Sequence, residues 1–189
     1  MCIIAIRPQG VGMDEQSEHW LENCALTNDD GAGMMYADGN NVYWHKGFMG
    51  DAAIDRMIDY ARNIPKEYPM VLHYRIATHG CINPETTHPF PLYKGDDSLT
   101  HLIGASQAAL VHNGIIQQMP YHINYSDTQQ LVRYINEMPE LGTDYLLNVL
   151  NMVGGGLYAL MTPNKVHTVG EFIEDNGWLF SNHDYRYDY

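Results

Sequence analysis

The N-terminus carries a cysteine at position 2, directly before an apolar run at positions 3–6. A β-branched run that ends near a proline is typical of a buried strand, so the chain is predicted to begin in a sheet. Methionine aminopeptidases remove Met1 when the second residue is small, and removal would leave Cys2 with a thiol and a free α-amine. That amine, with a pKa of about 7.7–8.0, can take the thiol proton and activate the nucleophile. Position alone favours the simpler interpretation, a small buried apolar side chain.

Length and charge limit the class of protein. The 189 residues correspond to one domain, predicted to span 1–189. A formal net charge of −13 argues against binding to nucleic acid or to anionic membranes. No apolar run reaches about 18 residues and no basic-then-apolar leader is present, so neither a membrane span nor a secretory signal is expected. The three cysteines suggest no disulfide framework, and the cytoplasm is the predicted location.

Helical and strand patterns alternate without a regular βαβ order. Helices are predicted over 14–26, 51–62, 127–138 and 143–152. Strands are predicted over 2–6, 33–36, 41–45, 70–76, 108–112, 157–161, 165–168 and 178–180. This mixture favours an α+β layered fold. Residues 81–97 are expected to form a long loop, and 182–189 either a flexible tail or a cover for a sheet edge.

Two stretches after predicted strands contain groups that can bind or polarise a substrate. Arg75 can clamp a carboxylate with two parallel hydrogen bonds, although an ordinary surface ion pair is the other interpretation. Asn113 and Gly114 can offer a side-chain amide and a backbone N–H, the donors that an oxyanion hole needs. A plain hairpin turn is the alternative for the Asn-Gly pair.

A third stretch, at positions 125–128, contains Asp127 at the predicted start of a helix. As a functional residue, Asp127 could bind a substrate ammonium group. The competing interpretation is a helix cap, in which Ser126 or Asp127 is paired with Gln129 or Gln130.

Together these stretches resemble the glutaminase domain of class II glutamine amidotransferases, the N-terminal-nucleophile type, and most of all the glutaminase half of glucosamine-6-phosphate synthase. The family has an amino-terminal Cys, then Arg-x-Ala-Thr-His-Gly, His-Asn-Gly and Ser-Asp-Thr elements. The matching positions here are 2, 75–80, 112–114 and 126–128, in the same order. Weaker matches occur at 30–33, 46–47 and 156–160. The resemblance implies a four-layer αββα sandwich.

The resemblance also implies a role for each matching residue. Cys2 would attack the side-chain amide of glutamine, with its own α-amine as base, while Asn113 and Gly114 would hold the oxyanion. Arg75 would pair with the substrate α-carboxylate and Asp127 with its α-ammonium.

Further family properties concern the pocket and the product. Thr78 and His79 would line the pocket, and Ile76 stands where family members often carry an aromatic residue. No metal and no cofactor is implied. The ammonia would pass to water or to a separate acceptor synthase subunit.

Other interpretations remain open at this level. The chain could be an N-terminal-nucleophile amidase that acts on another γ-glutamyl amide, or a retired binding module if Met1 is retained. A metal site is disfavoured, because the spacing of His79, Cys81 and His88 fits no common zinc pattern.

Overall fold

A computed structural model describes residues 1–77, 82–92, 98–138 and 142–187. The strands in these ranges are β1 (Ile3–Arg7), β2 (Ala32–Ala37), β3 (Val42–Phe48), β4 (Met70–Tyr74), β5 (Phe90–Pro91), β6 (Ile103–Ser106), β7 (Ala109–Gly114), β8 (Gly156–Thr162), β9 (Lys165–Val169), β10 (Ile173–Asp175) and β11 (Trp178–Phe180). The α-helices are α1 (Glu15–Thr27), α2 (Asp51–Arg62), α3 (Asp127–Glu137) and α4 (Thr143–Val153). Helices are thus found in all four predicted regions.

Two antiparallel sheets form the centre of the molecule. One has the order β10-β11-β1-β4-β2-β3-β6, and the other has the order β5-β7-β8-β9. Helices α1 and α2 pack on the outer face of the larger sheet, through Leu21 and Met57 among others. Helices α3 and α4 cover the smaller sheet, through Leu131 and Leu150. The expected αββα layering is therefore confirmed.

The alternation of side chains along β1 connects this layering to the N-terminus. Ile3 and Ala5 face the helical side of the larger sheet, whereas Ile4 and Ile6 enter the apolar layer between the sheets. Because strand side chains alternate with a period of two, Cys2 belongs to the face that looks toward the second sheet.

The segment 82–92 differs from the expected structureless loop. It contains a 3-10 turn, Pro84–Thr86, and the short strand β5. Two hydrogen bonds attach this segment to β3 of the larger sheet. Buried Lys46 Nζ donates to Glu85 O at 2.9 Å, and Gly47 N donates to Thr87 Oγ1 at 2.8 Å. These partners are distant in sequence, so the local pattern did not reveal the structure. Residues 81 and 93–97 lie outside the described ranges.

The described part of the C-terminal segment, 182–187, packs against the larger sheet. The Tyr185 side chain is fully buried, its ring stacks on Phe180 at 3.8 Å, and its hydroxyl donates to Asp175 Oδ2 at 2.9 Å. Asn23 Nδ2 on α1 donates to Tyr185 O at 3.1 Å. Residues 182–184 thereby come close to the residues at the start of β1.

Candidate active site

Cys2 is half-buried at the start of β1. Its thiol donates to Ile76 O at 3.5 Å, and its own carbonyl accepts a 2.9 Å hydrogen bond from Asn182 Nδ2. Burial raises the pKa of the Cys2 thiol, while the nearby positive charge of Arg75 acts in the opposite direction. The thiol is therefore mostly protonated near neutral pH and needs a base before it can attack.

Met1, the residue before Cys2, lies at the surface. It is 74% exposed, and its ammonium lies 3.9 Å from Asp184 Oδ2, a partly exposed carboxylate. A contact of this length at the surface contributes little to stability. Removal of Met1 would therefore leave the packing of β1 intact.

Arg75 lies opposite Cys2. The pairing of β1 with β4 joins Ile3 to Tyr74, so the next pair in this register is Cys2 and Arg75. Arg75 is 6% exposed, and its backbone is held on both sides because its N–H donates to Gly31 O at 2.8 Å and its carbonyl accepts from Asp30 N at 3.1 Å. Asp30 continues this support with its side chain, whose Oδ2 accepts from Ala77 N at 2.8 Å. The buried position does not fit the alternative of a surface ion pair.

Asn113 lies on the smaller sheet, and its side chain is connected to β1 through Ser181. It lies near the end of β7, paired with Leu157, so the plain hairpin-turn alternative is wrong for this position. The Asn113 side chain is 4% exposed and crosses to the larger sheet, where Nδ2 donates to Ser181 Oγ at 2.8 Å. The same Ser181 oxygen accepts from Ile4 N at 2.9 Å. Two hydrogen bonds thus separate the Asn113 amide from the second residue after Cys2.

Gly114 ends β7 in a crowded backbone contact. It pairs with Gly156, and a Cβ built on Gly114 would lie 2.0 Å from Gly155 O. Its φ of 155° adds to the preference for glycine. The three successive glycines at 154–156 therefore allow the close approach of β7 and β8 beside Asn113.

His112 ties the end of β7 to helix α3. Nε2 donates to Gly155 O at 3.2 Å, since a carbonyl can only accept. Burial lowers the pKa of His112 despite the opposing Asp127 carboxylate, so the ring is neutral and Nδ1 accepts from the Thr128 hydroxyl at 2.9 Å. His112 is thus a buried residue whose two ring nitrogens are both bonded. Its bond to Gly155 O holds the contact between Gly114 and the glycines at 154–156, which we call the glycine corner.

Asp127 is the first residue of α3, and Ser126 forms the N-cap in a capping box with Gln129. The Asp127 carboxylate bonds main-chain donors on both sides: Oδ2 accepts from Ile116 N and Oδ1 from Thr128 N, each at 2.7 Å. A cleft of about 220 Å³ opens beside it. The described residues that line this cleft do not include Cys2, Arg75 or Asn113. Among the described residues, Arg75 lies beside Cys2 and Asn113 is joined to β1 through Ser181, whereas Asp127 lies near His112 at the start of α3.

The other two predicted pocket residues, Thr78 and His79, lie outside the described residues, as does Cys81. Cys24 lies on the buried face of α1 and is fully buried, and burial raises the pKa of its thiol.

Three residues support the site through hydrogen bonds. Ser181 and Asn182 hold the start of β1 and had no sequence signal, whereas Asp30, which holds the segment after β4, lies in the segment 30–33 that resembles the family. A pattern of long-range hydrogen bonds of this kind cannot be read from local spacing.

Buried histidines lie behind the site. His73 Nε2 donates to His112 O at 3.1 Å and so connects the two sheets, while its ring lies 4.2 Å from the ring of His88. Burial lowers the pKa of His73 to about 3 and that of His88 well below its usual range. Within the described ranges, no three His, Cys, Asp or Glu residues form a group that could hold a metal ion. No helix in the same ranges is long and apolar enough to cross a membrane.

No family model matches the chain, and no curated protein matches it. Solved structures do match, 32 chains in all. One, described as the allosteric regulatory enzyme of purine biosynthesis, has a TM-score of 0.55 and 22% identity, and the match covers 86% of this chain. The chain spans 36% of the length of that enzyme. This likeness shows the fold and confirms the one expected for class II glutamine amidotransferases. The particular resemblance to glucosamine-6-phosphate synthase stays a prediction.

Proposed function

We propose that this chain is a class II glutamine amidotransferase that hydrolyses the side-chain amide of glutamine through a γ-glutamyl thioester on Cys2. The observation that carries the proposal is that Arg75 lies beside Cys2 and that the Asn113 amide is joined through Ser181 to Ile4, on the strand that follows Cys2. A nucleophile, a cation for a carboxylate and an amide donor for an oxyanion are the groups that this reaction needs. The shared fold supports the same assignment.

The chemistry begins after removal of Met1. The Cys2 α-amine, through a water molecule, takes the thiol proton, and the sulfur attacks the amide carbon of glutamine. Negative charge collects on the former carbonyl oxygen, which the Asn113 side chain and the Gly114 N–H stabilise. As the carbon–nitrogen bond breaks, the proton returns to the leaving nitrogen and ammonia departs. Water then attacks the thioester, which releases glutamate and the free thiol.

In this proposal, two charged side chains recognise the two charged groups of a free amino acid. Arg75 pairs with the α-carboxylate and Asp127 with the α-ammonium, while Thr78 and His79 line the pocket. The ammonia passes to water or to a separate acceptor protein. Asp127 Oδ1 accepts from Thr128 N and lies 3.3 Å from the Thr128 hydroxyl, whereas Oδ2 accepts from Ile116 N. A carboxylate oxygen has room for two donors, so the proposed ammonium contact is assigned to Oδ2.

The test is a glutaminase assay on protein whose mature N-terminus is verified by mass spectrometry. A γ-diazoketone analogue of glutamine should modify Cys2 and abolish ammonia release, whereas Cys24 and Cys81 should stay unmodified. Cys24→Ala serves as the control and should be inhibited like the wild type. Modification at Cys81 with Cys2 intact would contradict the assignment.

The engagement of Asp127 by two main-chain N–H groups favours a second candidate, an amidase for another γ-glutamyl amide. In that enzyme Asp127 would only hold the loop, and a free α-ammonium would not be required. Equal hydrolysis of N-acetylglutamine and glutamine would select this candidate.

A further inference from the structure

Ser181 completes the β1–β11 ladder in an unusual way. Ala5 pairs with Phe180, so Ile4 and Ser181 form the next pair after β11 ends. Ser181 N donates to Ile4 O at 3.0 Å as in an ordinary ladder. The return bond goes from Ile4 N to the Ser181 side-chain oxygen, at 2.9 Å, where an ordinary ladder would use a backbone carbonyl.

The same oxygen receives the Asn113 amide from the opposite sheet, at 2.8 Å. Ser181 is 8% exposed and Asn113 is 4% exposed, so water does not readily replace this bond. A hydroxyl oxygen has two acceptor positions, and here the two nitrogen donors occupy both. Ser181 Oγ therefore joins the strand of the nucleophile to the strand that ends in the oxyanion donors.

We infer that Ser181 is a positioning residue that sets the Asn113 side-chain amide relative to Cys2. This inference rests on the proposed function. One N–H of the Asn113 amide donates its hydrogen bond to Ser181 Oγ. The two N–H bonds of an amide nitrogen point in different directions within one plane. The second proton consequently has a fixed direction, away from Ser181, in which it can meet a developing oxyanion.

Loss of the hydroxyl would leave the Asn113 amide free to rotate without removing it. A displacement of about 1 Å in a catalytic group can cost on the order of 10²-fold in rate. The loss should fall on kcat, because Asn113 acts on charge that develops in the transition state, and leave KM nearly unchanged.

The experiment compares Ser181→Ala, Ser181→Thr, Asn113→Ala and the double variant Ser181→Ala/Asn113→Ala in the glutaminase assay. The control is Ser106→Ala, which removes another buried serine hydroxyl, bonded to Ala108 O at 2.8 Å between β6 and β7. We expect Ser181→Ala to lower kcat by roughly 10- to 100-fold, Ser181→Thr to recover part of it, and Ser106→Ala to leave it unchanged. In the Asn113→Ala background, Ser181→Ala should have no further effect. A full further loss in that background, or an unchanged kcat in Ser181→Ala, would overturn the inference.

A second readout separates this inference from the proposed function. Hydrogen exchange of the Asn113 side-chain amide, assigned by comparison with Asn113→Ala, should be slow in the wild type and in Ser106→Ala and fast in Ser181→Ala. A wild type without glutaminase activity would contradict the proposed function, and amide exchange would then decide the role of Ser181 by itself. Equal exchange rates in wild type and Ser181→Ala would overturn the role whatever the activity.

Discussion

Arg75 faces Cys2 across the antiparallel pairing of β1 and β4, one step beyond Ile3 and Tyr74. Both residues belong to the face of the larger sheet that looks toward the second sheet, and the guanidinium is close enough to lower the thiol pKa. A buried cation beside a thiol favours the thiolate. Under the proposed function, the same cation would also pair with the substrate carboxylate.

The first prediction concerns the pH dependence of Cys2 alkylation in protein that retains Met1. Because burial raises the thiol pKa, the rate with iodoacetamide should still increase above pH ~8.5, where an ordinary cysteine is half-ionised. Arg75→Met should move the midpoint further upward, because a favourable positive charge is lost. Peptide mass spectrometry measures the rate, with buried Cys24 as an internal control that stays unlabelled. A midpoint below that of free cysteine would contradict the burial argument.

The second prediction tests the glycine corner. Gly114→Ala should lower the melting temperature and the glutaminase activity together, because its Cβ would meet Gly155 O at 2.0 Å. The matched control is Gly39→Ala, where φ is also positive at 91° but no atom lies within 4 Å of the added carbon. The control should lose only about 1–2 kcal/mol of stability, because alanine is strained in the left-handed region, and it should keep its activity. Equal losses in both variants would show that contact with Gly155 is unimportant.

The third prediction concerns the substrate carboxylate. Arg75→Ala should raise KM for glutamine by roughly 30- to 4000-fold, the equivalent of the ~2–5 kcal/mol lost when one side of a buried charge pair is removed. Steady-state kinetics and thermal unfolding, measured on the same preparation, separate binding from stability. Arg62→Ala, which removes a partly exposed arginine on α2, is the control and should leave KM unchanged. An unchanged KM in Arg75→Ala would remove Arg75 from the substrate pocket.

The fourth prediction concerns the substrate ammonium. Asp127→Asn should raise KM for glutamine and abolish the advantage of free glutamine over N-acetylglutamine, since the partner of the ammonium is gone. Asparagine keeps one oxygen that can accept from a main-chain N–H, so the free energy of unfolding should fall by only about 1–2 kcal/mol. A preserved preference for free glutamine in this variant would leave Asp127 with a capping role alone.

The fifth prediction is an acid-dependent loss of stability from His73. Burial lowers its folded-state pKa to about 3, whereas the unfolded value is about 6.5. Between these pH values only the unfolded chain binds a proton at His73, which favours unfolding. The stability that neutral His73 allows is therefore complete above pH ~6.5 and decreases as pH falls toward ~3. Relative to His73→Gln, the wild type should lose roughly 2–3 kcal/mol of unfolding free energy between pH 6.5 and 4.5. Parallel stability curves for the two proteins over that range would contradict the shift.

Some features could be predicted from sequence because their causes are local. The helical spacing of Ile54, Met57 and Ile58 reports one buried face, and α2 forms where that spacing occurs. The start of α3 follows from Ser126 and Gln129, which satisfy each other within one turn. Strand β10 was not predicted from sequence. It has only three residues, of which two are partly buried, and so short a segment has no periodicity to detect.

The order of the motifs in the sequence, from Cys2 through Arg75 to Asn113, was enough to indicate the fold and to nominate a nucleophile, a cation and an amide. How these groups are held was decided by tertiary structure. Ser181 meets Ile4 across 177 residues and Asn113 across 68. Side-chain periodicity specifies which face of a strand is buried, but not which distant residue lies opposite. That choice depends on strand register and on the stacking of two sheets, and both exist only once the chain has folded.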